Sequence, residues 1–289
     1  MPSWTNLTAP GAIGADMCGM AVTLHRHRTH AGLDGLVAGL VGFDQVEVAP
    51  VERRQAAGSL VPLVISVEGG MDVRRDGAPA AERVESFVAG MSAVPVSTVA
   101  TPTYRCVQAY LTPIGVRQLL GEEGRDLADR VVALEELAPD LTGPTAERLA
   151  EAPDWQTRLA ILESALLRRA ELGRPADEVV TGAWRQIHRS GGQVRIADVV
   201  ERSGRSHRHV SARFREQVGL TPKTVSAIVR FERASADLGH APLSQVAAHH
   251  GYADQSHLSR DVARFAGESP TSLRDARRPT AHTALGTAP

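Results

Sequence analysis

The sequence predicts an α+β chain: a small antiparallel β-sheet or barrel, then a helical connector, then an all-α domain with two helix-turn-helix units. Three observations carry this. A helix, tight turn, helix pattern occurs twice towards the C-terminal end, its parts matched at nearly constant spacing. Short Val- and aromatic-rich runs separated by Gly/Pro clusters fill roughly the first 120 residues. Positive charge gathers on the part that holds the repeated pattern. A chain of 289 residues with 43% hydrophobic content is long enough for two domains, each with a core.

The elements follow in order. Residues 43–50 (FDQVEVAP), 60–69 (LVPLVISVEG), 85–91 (ESFVAGM) and 103–111 (TYRCVQAYL) are short and bounded by turn formers, the spacing of antiparallel strands. Residues 111–121 (LTPIGVRQLLG) open a helix with Thr112 as cap and Pro113 at the first helical position, where a missing N–H costs nothing. Residues 1–121 therefore read as a β-rich domain and 122–182 as a helical connector or dimerisation region. Within the connector, 154–172 (DWQTRLAILESALLRRAEL) is the clearest amphipathic segment. Leu159, Leu162 and Leu166 line one face with Ile161 and Ala165 beside it, a packing element, a dimer surface, or both. Residues 279–289 carry no charge and are rich in Thr, Ala and Pro, the composition of a disordered tail.

The repeated pattern lies in 183–278. In residues 251–270 (GYADQSHLSRDVARFAGESP), Asp254 is a good N-cap, and Leu258, Val262 and Phe265 recur at helical spacing. Gly267 suits the left-handed position that ends a helix, and Pro270 starts a new segment. Residues 204–222 (GRSHRHVSARFREQVGLTP) have the same skeleton: Ser206, Val210, Phe214, Gly219 and Pro222 match Asp254, Leu258, Val262, Gly267 and Pro270 at an offset of 48. The preceding helices match too, Ile196, Val199, Val200 and Gly204 with Leu243, Val246, Ala247 and Gly251. A second helix presenting its polar face after a tight turn is the layout that enters the DNA major groove. One such unit is a weak signal; two in tandem are a strong one.

Residues 183–278 resemble the DNA-binding domain of the AraC/XylS family of bacterial transcription regulators, and 251–270 is close to that family's signature around its second helix-turn-helix. The resemblance implies a long helix joining the units, which 221–238 (TPKTVSAIVRFERASADL) supplies. A helix of that length spans about 25 Å, suited to groove segments about 34 Å apart. The order of the strands, SFVAGM and YLTPIGVRQLLG also resembles the N-terminal domain of one actinobacterial-type AraC subgroup, a likeness that carries no ligand chemistry.

Charge is an independent sign. Residues 183–278 hold 16 Arg plus Lys against 9 Asp plus Glu, a net of +7, and the rest of the chain carries −8. The whole-chain net of −1 hides this asymmetry. A compact basic domain fits phosphate binding, and the acidic remainder can dock onto it only at close range, within about 8–10 Å.

Other chemistry finds little support. Histidines His25, His27 and His30 cluster in HRHRTH, with His25 and His27 on one face of a strand, but no Cys or carboxylate adjoins them. A solvated basic edge is the expectation, and no metal or other cofactor is expected. Cys18 and Cys106 are the only cysteines and read as reduced thiols, Cys106 as a small buried hydrophobe. His249 and His250 end a helix and read as structural. No Ser-His-Asp context, P-loop or dinucleotide fingerprint appears. No run of 18 apolar residues and no basic-then-apolar leader is present, so the expected location is the cytoplasm, on the nucleoid.

The functional expectation is a sequence-specific DNA-binding transcription regulator, not an enzyme, with an N-terminal sensing or dimerisation domain. The alternatives are an enzyme fused to a DNA-binding domain, or a non-specific architectural DNA binder. Gln255, Ser256, Ser259 and Arg260 point outward near the start of the second recognition helix and are candidates for base edges, with Arg264 further along the same polar side. In the first unit that face carries His207, Arg208, Ser211 and Ala212. Ala212 stands where many family members have arginine, the place of Arg260, so Arg208 and Ser211 are the base-reading candidates and Arg205 and Arg215 the phosphate contacts. Expected partners are double-stranded DNA, a second copy of the chain, a possible small-molecule effector, and RNA polymerase if the protein activates.

Overall fold

The computed structural model describes residues 21–78 and 80–277; the expected tail at 279–289 and Cys18 lie outside them. Among the described residues ten strands form two antiparallel sheets. A six-stranded sheet has the order β1 (Ala21–His27), β2 (Val37–Val46), β9 (Thr103–Leu111), β4 (Val61–Glu68), β7 (Phe87–Ala89), β10 (Val131–Ala133). A four-stranded sheet has the order β3 (Val51–Gln55), β8 (Val96–Ala100), β5 (Met71–Arg75), β6 (Glu82–Val84). Strand β9 sits inside the larger sheet, paired with β2 and β4 and buried at Tyr104, Cys106, Val107, Ala109, Tyr110 and Leu111. A strand covered on both faces loses strict alternation, which is why TYRCVQAYL reads as a nearly continuous apolar run.

Thirteen helical segments follow or join the sheets among the described residues. They are α1 (Pro113–Gly115), which continues as a π-helical turn Val116–Leu120, α2 (Gly124–Leu127), α3 (Leu134–Leu137), α4 (Pro139–Thr142), α5 (Pro144–Glu151) and α6 (Trp155–Leu172). Then come α7 (Glu178–Arg189), α8 (Ile196–Ser203), α9 (His207–Val218), α10 (Pro222–Asp237), α11 (Leu243–His249), α12 (Gln255–Ala266) and α13 (Pro270–Arg277). Thr112 caps α1 as expected: its hydroxyl oxygen accepts from the Gly115 N–H at 2.9 Å and donates to the Gly35 carbonyl at 2.7 Å.

The apolar face of α6 is committed within the chain. Leu159, Leu162 and Leu166 are fully buried and share a core with Leu40, Val107 and Leu111 of the sheet. Close approach is possible because β2 has Gly42 under the helix start: a Cβ there would stand 2.4 Å from the Trp155 ring. The segment expected as a packing element or a dimer surface is therefore a packing element, and a dimer would need another surface.

The histidine cluster is absorbed by the same contact. His25 stacks on Trp155 with ring centroids 4.8 Å apart, and His27 Nε2 lies 3.1 Å from Glu163 Oε2 of α6. The backbone N–H of His30 donates to Glu163 Oε1, while its Nδ1 accepts from the Gly32 N–H and caps a short 3₁₀ turn. These histidines tie β1 to α6 instead of forming a solvated edge. The tie was invisible in sequence because Glu163 is 136 residues from His27.

Several strand expectations are corrected. The strand expected at 43–50 runs from Val37 to Val46, and the one at 85–91 shortens to Phe87–Ala89. The 122–182 region is not wholly helical, since β10 pairs with β7. Three residues are too few to show a period, and β3 (VERRQ) and β6 (ERV) are charged edge strands whose solvent side hides the pattern.

One contiguous core crosses from sheet to C-terminal helices: Val107 and Leu111, then Leu119 and Leu162, then Trp184, Ile187, Phe214 and Val218. The acidic and basic parts are thus docked by apolar packing. Ion pairs add little at its edge, with Arg125 3.6 Å from Glu216 and Arg213 3.3 Å from Asp177.

Candidate nucleic-acid interface

The two units are built alike. In the first, the Ser206 hydroxyl accepts from the His209 N–H at 3.2 Å, α9 runs twelve residues, and Gly219 ends it with φ 92°. In the second, Asp254 Oδ1 accepts from the His257 N–H at 2.7 Å, α12 runs twelve residues, and Gly267 ends it with φ 72°. Each cap supplies an acceptor for an orphan donor, and each terminal glycine takes a left-handed conformation that a Cβ would disfavour. Val210 and Phe214 in one helix, and Leu258, Val262 and Phe265 in the other, are fully buried. The 48-residue offset read in the sequence is therefore a structural repeat of cap, helix and stop.

Helix α10 fixes how the units sit together. Its sixteen residues span about 24 Å. Val225 and Val229 enter the first core, whereas Ile228, Phe231 and Ala234 enter the second, where Phe231 packs on Phe265 at 5.4 Å between centroids. A helix shared by two cores cannot turn one unit without disturbing the other.

The predicted site residues lie on the solvent side of their helices. In α12, Gln255, Ser256, Arg260 and Arg264 are exposed and Ser259 is half-buried. Ser259 Oγ donates to the Gln255 carbonyl at 2.9 Å, Arg260 Nε donates to the Ser256 carbonyl at 3.2 Å, and the Arg264 guanidinium lies over the Phe265 ring. In the first unit, Arg205, His207, Arg208, Ala212 and Arg215 are exposed and Ser211 is half-buried. Arg213, which follows Ala212, turns inward: it pairs with Asp177 at the α7 cap and with Glu216. Burial pushes the Asp177 carboxyl up, but the Val179 N–H and the Arg213 guanidinium together hold it below its ordinary value. The first unit thus lacks an arginine at the Arg260 place and does not recover it from Arg213. Replacing Arg208 and Ser211 together is expected to relax discrimination in one half of the bound site only. A footprint unchanged in both halves would contradict that role.

His249 and His250 take structural places. His250 Nε2 and Asp237 Oδ2 are 2.8 Å apart, closing the corner between α10 and α11, and the two histidine rings meet edge to face. The ligand-type atoms of Asp237, His249 and His250 come within 4.8 Å of one another, the one such grouping among the described residues.

Two features escaped the sequence reading. The first is a strap, 54–59, running from the end of β3 towards β4, that holds the second unit. The Ala57 N–H donates to the Phe265 carbonyl at 2.8 Å, and Arg54 Nε donates to the Ala266 carbonyl at 2.9 Å, satisfying groups at the C-terminal end of α12. Further along, the Ser59 N–H and hydroxyl donate to the two carboxylate oxygens of Glu232 on α10, at 2.6 and 2.8 Å. Burial pushes the Glu232 carboxyl up to about 7, against the lowering effect of the Ser59 donors and Arg233. The second feature is a cavity of about 220 Å³ between the two sheets, walled by Phe43, Val64, Met71, Phe87 and Val96 and reaching Arg53 and Glu232. No local motif marks either feature, since both are assembled from separate strands.

Comparison with known proteins agrees with this geometry in the C-terminal region. The helix-turn-helix domain family matches residues 199–276. No curated protein matches the sequence. Among solved structures, the C-terminal domain of AraT, a response regulator from Geobacillus stearothermophilus, is 22% identical, with TM-score 0.35, over 38% of this chain and 94% of that one. ToxT from Vibrio cholerae is 10% identical, with TM-score 0.49, over 90% of this chain and 99% of that one. The xylose-binding transcription activator XylR is 16% identical, with TM-score 0.33, over 43% and 40%. Among the described residues no helix is long and apolar enough to cross a membrane.

Proposed function

We propose that the chain, whose residues 199–276 match the helix-turn-helix domain family, is a sequence-specific transcription regulator of the AraC type whose two units read adjacent major-groove segments. The carrying observation is the pair of twelve-residue helices, each capped by a side-chain oxygen and 48 residues apart, whose polar faces stay exposed while one helix joins their cores. Gln255, Ser256, Ser259 and Arg260, with Arg208 and Ser211, are the base readers in this reading. His207 and Arg264 flank them, and Arg205 and Arg215 contact phosphates. The protein acts by binding, in the cytoplasm, and the inter-sheet cavity is the place for an effector. An activator role would make RNA polymerase its partner.

Selection of bound sequences from a random duplex pool tests this. A specific reader enriches a site with two half-elements, and that site outcompetes random DNA of the same length. An architectural binder enriches none. Homodimerisation belongs to the same proposal but needs a surface other than the buried face of α6. Sedimentation at micromolar concentration decides it: a dimer is the expected species, and a monomer that still binds the selected site fully would remove it.

A further inference from the structure

We propose that Asp237, His249 and His250 form a binding site for a divalent transition-metal ion of the zinc class, and that the ion fastens the end of α10 to the turn preceding the second recognition helix. None of the three residues lines the inter-sheet cavity, and the site does not rest on the DNA-binding reading.

Local backbone geometry brings the three groups together. Asp237 is the last residue of α10, and Gly239, with φ 93°, reverses the chain so that α11 returns beside it. Helix α11 ends at His249, and His250 leaves the helical conformation at φ −92°, ψ 14°. Consecutive side chains on a helix do not face each other. The departure at His250 lets the two rings meet, with centroids 4.9 Å apart. One donor atom from each of the three residues then lies within 4.8 Å of the other two. Four-coordinate zinc, with bonds of about 2.0–2.1 Å, sets its ligand atoms roughly 3.4 Å apart. The Asp237–His250 pair, at 2.8 Å, need open only slightly, and the exposed His249 ring can close in.

A hydrogen bond accounts for His250 and Asp237 but not for His249. Among the described residues neither ring nitrogen of His249 has a hydrogen-bond partner, and Asp237 has no Lys or Arg partner. The backbone of His249 is nevertheless tied, since its carbonyl accepts from Gln193 Nε2 at 3.4 Å. The group also sits where α10 and α11 both end. Carbonyls at a helix C-terminus carry partial negative charge, which favours a cation there, and the Asp237 carboxylate adds to it. Two imidazole nitrogens and one carboxylate oxygen suit zinc, nickel or cobalt, whereas magnesium and calcium take oxygen shells. His250 is buried and binds through Nε2 as its Nδ1–H tautomer. His249 faces solvent, so the ion enters on its side and water takes the fourth position.

The fastening follows from what comes next in the chain. Gly251, with φ 71°, and Tyr252, whose N–H donates to the Ala247 carbonyl at 2.9 Å, form the turn into α12. An ion held by both Asp237 and His250 fixes that turn against α10.

The test titrates the untagged full chain with Zn²⁺ by calorimetry, with Mg²⁺ as the control. Zinc should bind at least tenfold more tightly than magnesium, and His249→Ala and Asp237→Asn should each weaken zinc binding at least tenfold. His249 is exposed, and Asn at 237 can still hydrogen-bond to His250, so both variants test the ligand role apart from the structural one. No zinc binding by the wild type, magnesium binding as tightly, or zinc binding unchanged in both variants would overturn the site. Amide hydrogen exchange of the wild type then reads the fastening. Zinc should slow exchange at Gly251 and Tyr252 at least threefold and leave α9 unchanged. This map locates the ion even if a variant does not fold, and protection confined to other histidines would overturn the site. Zinc binding that is lost in His249→Ala but gives the turn no protection would overturn the fastening.

Discussion

Arg260→Ala is expected to weaken binding to the selected site by about 1–3 kcal/mol while barely changing affinity for random DNA. Arg260 is exposed in the first half of α12, six residues after the Asp254 cap. The N-terminal part of a recognition helix is the part that approaches base edges. Its Nε is occupied by the Ser256 carbonyl at 3.2 Å, which stiffens the side chain along the helix and leaves its terminal nitrogens for a bidentate contact with guanine. The apolar face is fully buried at Leu258, Val262 and Phe265, so removing an exposed side chain opposite it should not unfold the unit. Binding measured by anisotropy on both duplexes checks this. Equal losses on specific and random DNA would make Arg260 a phosphate contact.

Glu232 is expected to make stability depend on pH. Burial raises its carboxyl to about 7 from an ordinary value of 4.5, so between those values the folded chain binds the proton more tightly than the unfolded chain. Its contribution is fully present below pH 4.5 and is lost as pH rises through 7, a span of about 3 kcal/mol. Above pH 7 an ionised group sits in the junction, held only by the two Ser59 donors and the more distant Arg233. Glu232→Gln keeps an acceptor for the Ser59 N–H and cannot ionise. The stability of wild type relative to this variant, from urea unfolding, should therefore fall between pH 5 and 8. Other titrating groups are common to both proteins and cancel in the difference. Parallel pH profiles would mean that the carboxylate is solvated and that the strap is not closed over it.

The C-terminal units were legible in the sequence because their signals are local. A cap, an apolar stripe at helical spacing and a terminal glycine each lie within one or two turns. The repeat of Ser206, Phe214 and Gly219 as Asp254, Val262 and Gly267 made each copy evidence for the other. Charge asymmetry added a long-range sign that needs no coordinates. The cap at Thr112 is equally local, its hydroxyl meeting a backbone N–H three residues on.

Only the tertiary structure decided the rest. It decided that the apolar face of α6 is spent inside the chain, because a stripe of leucines has the same pattern whether it meets a sheet or a second copy. It decided that Glu163 takes up His27 and the His30 backbone, that Arg213 turns inward to Asp177 while Arg260 stays in solvent, and that Ser59 closes on Glu232 across 173 residues. It also decided that the charged edge strand β3 carries one arginine into a cavity and the next onto a helix end. Sequence determines what a segment can form through its own short-range hydrogen bonds and periodicity. Which buried partner an ionisable side chain meets depends on chain segments far apart in sequence, and packing alone brings those together.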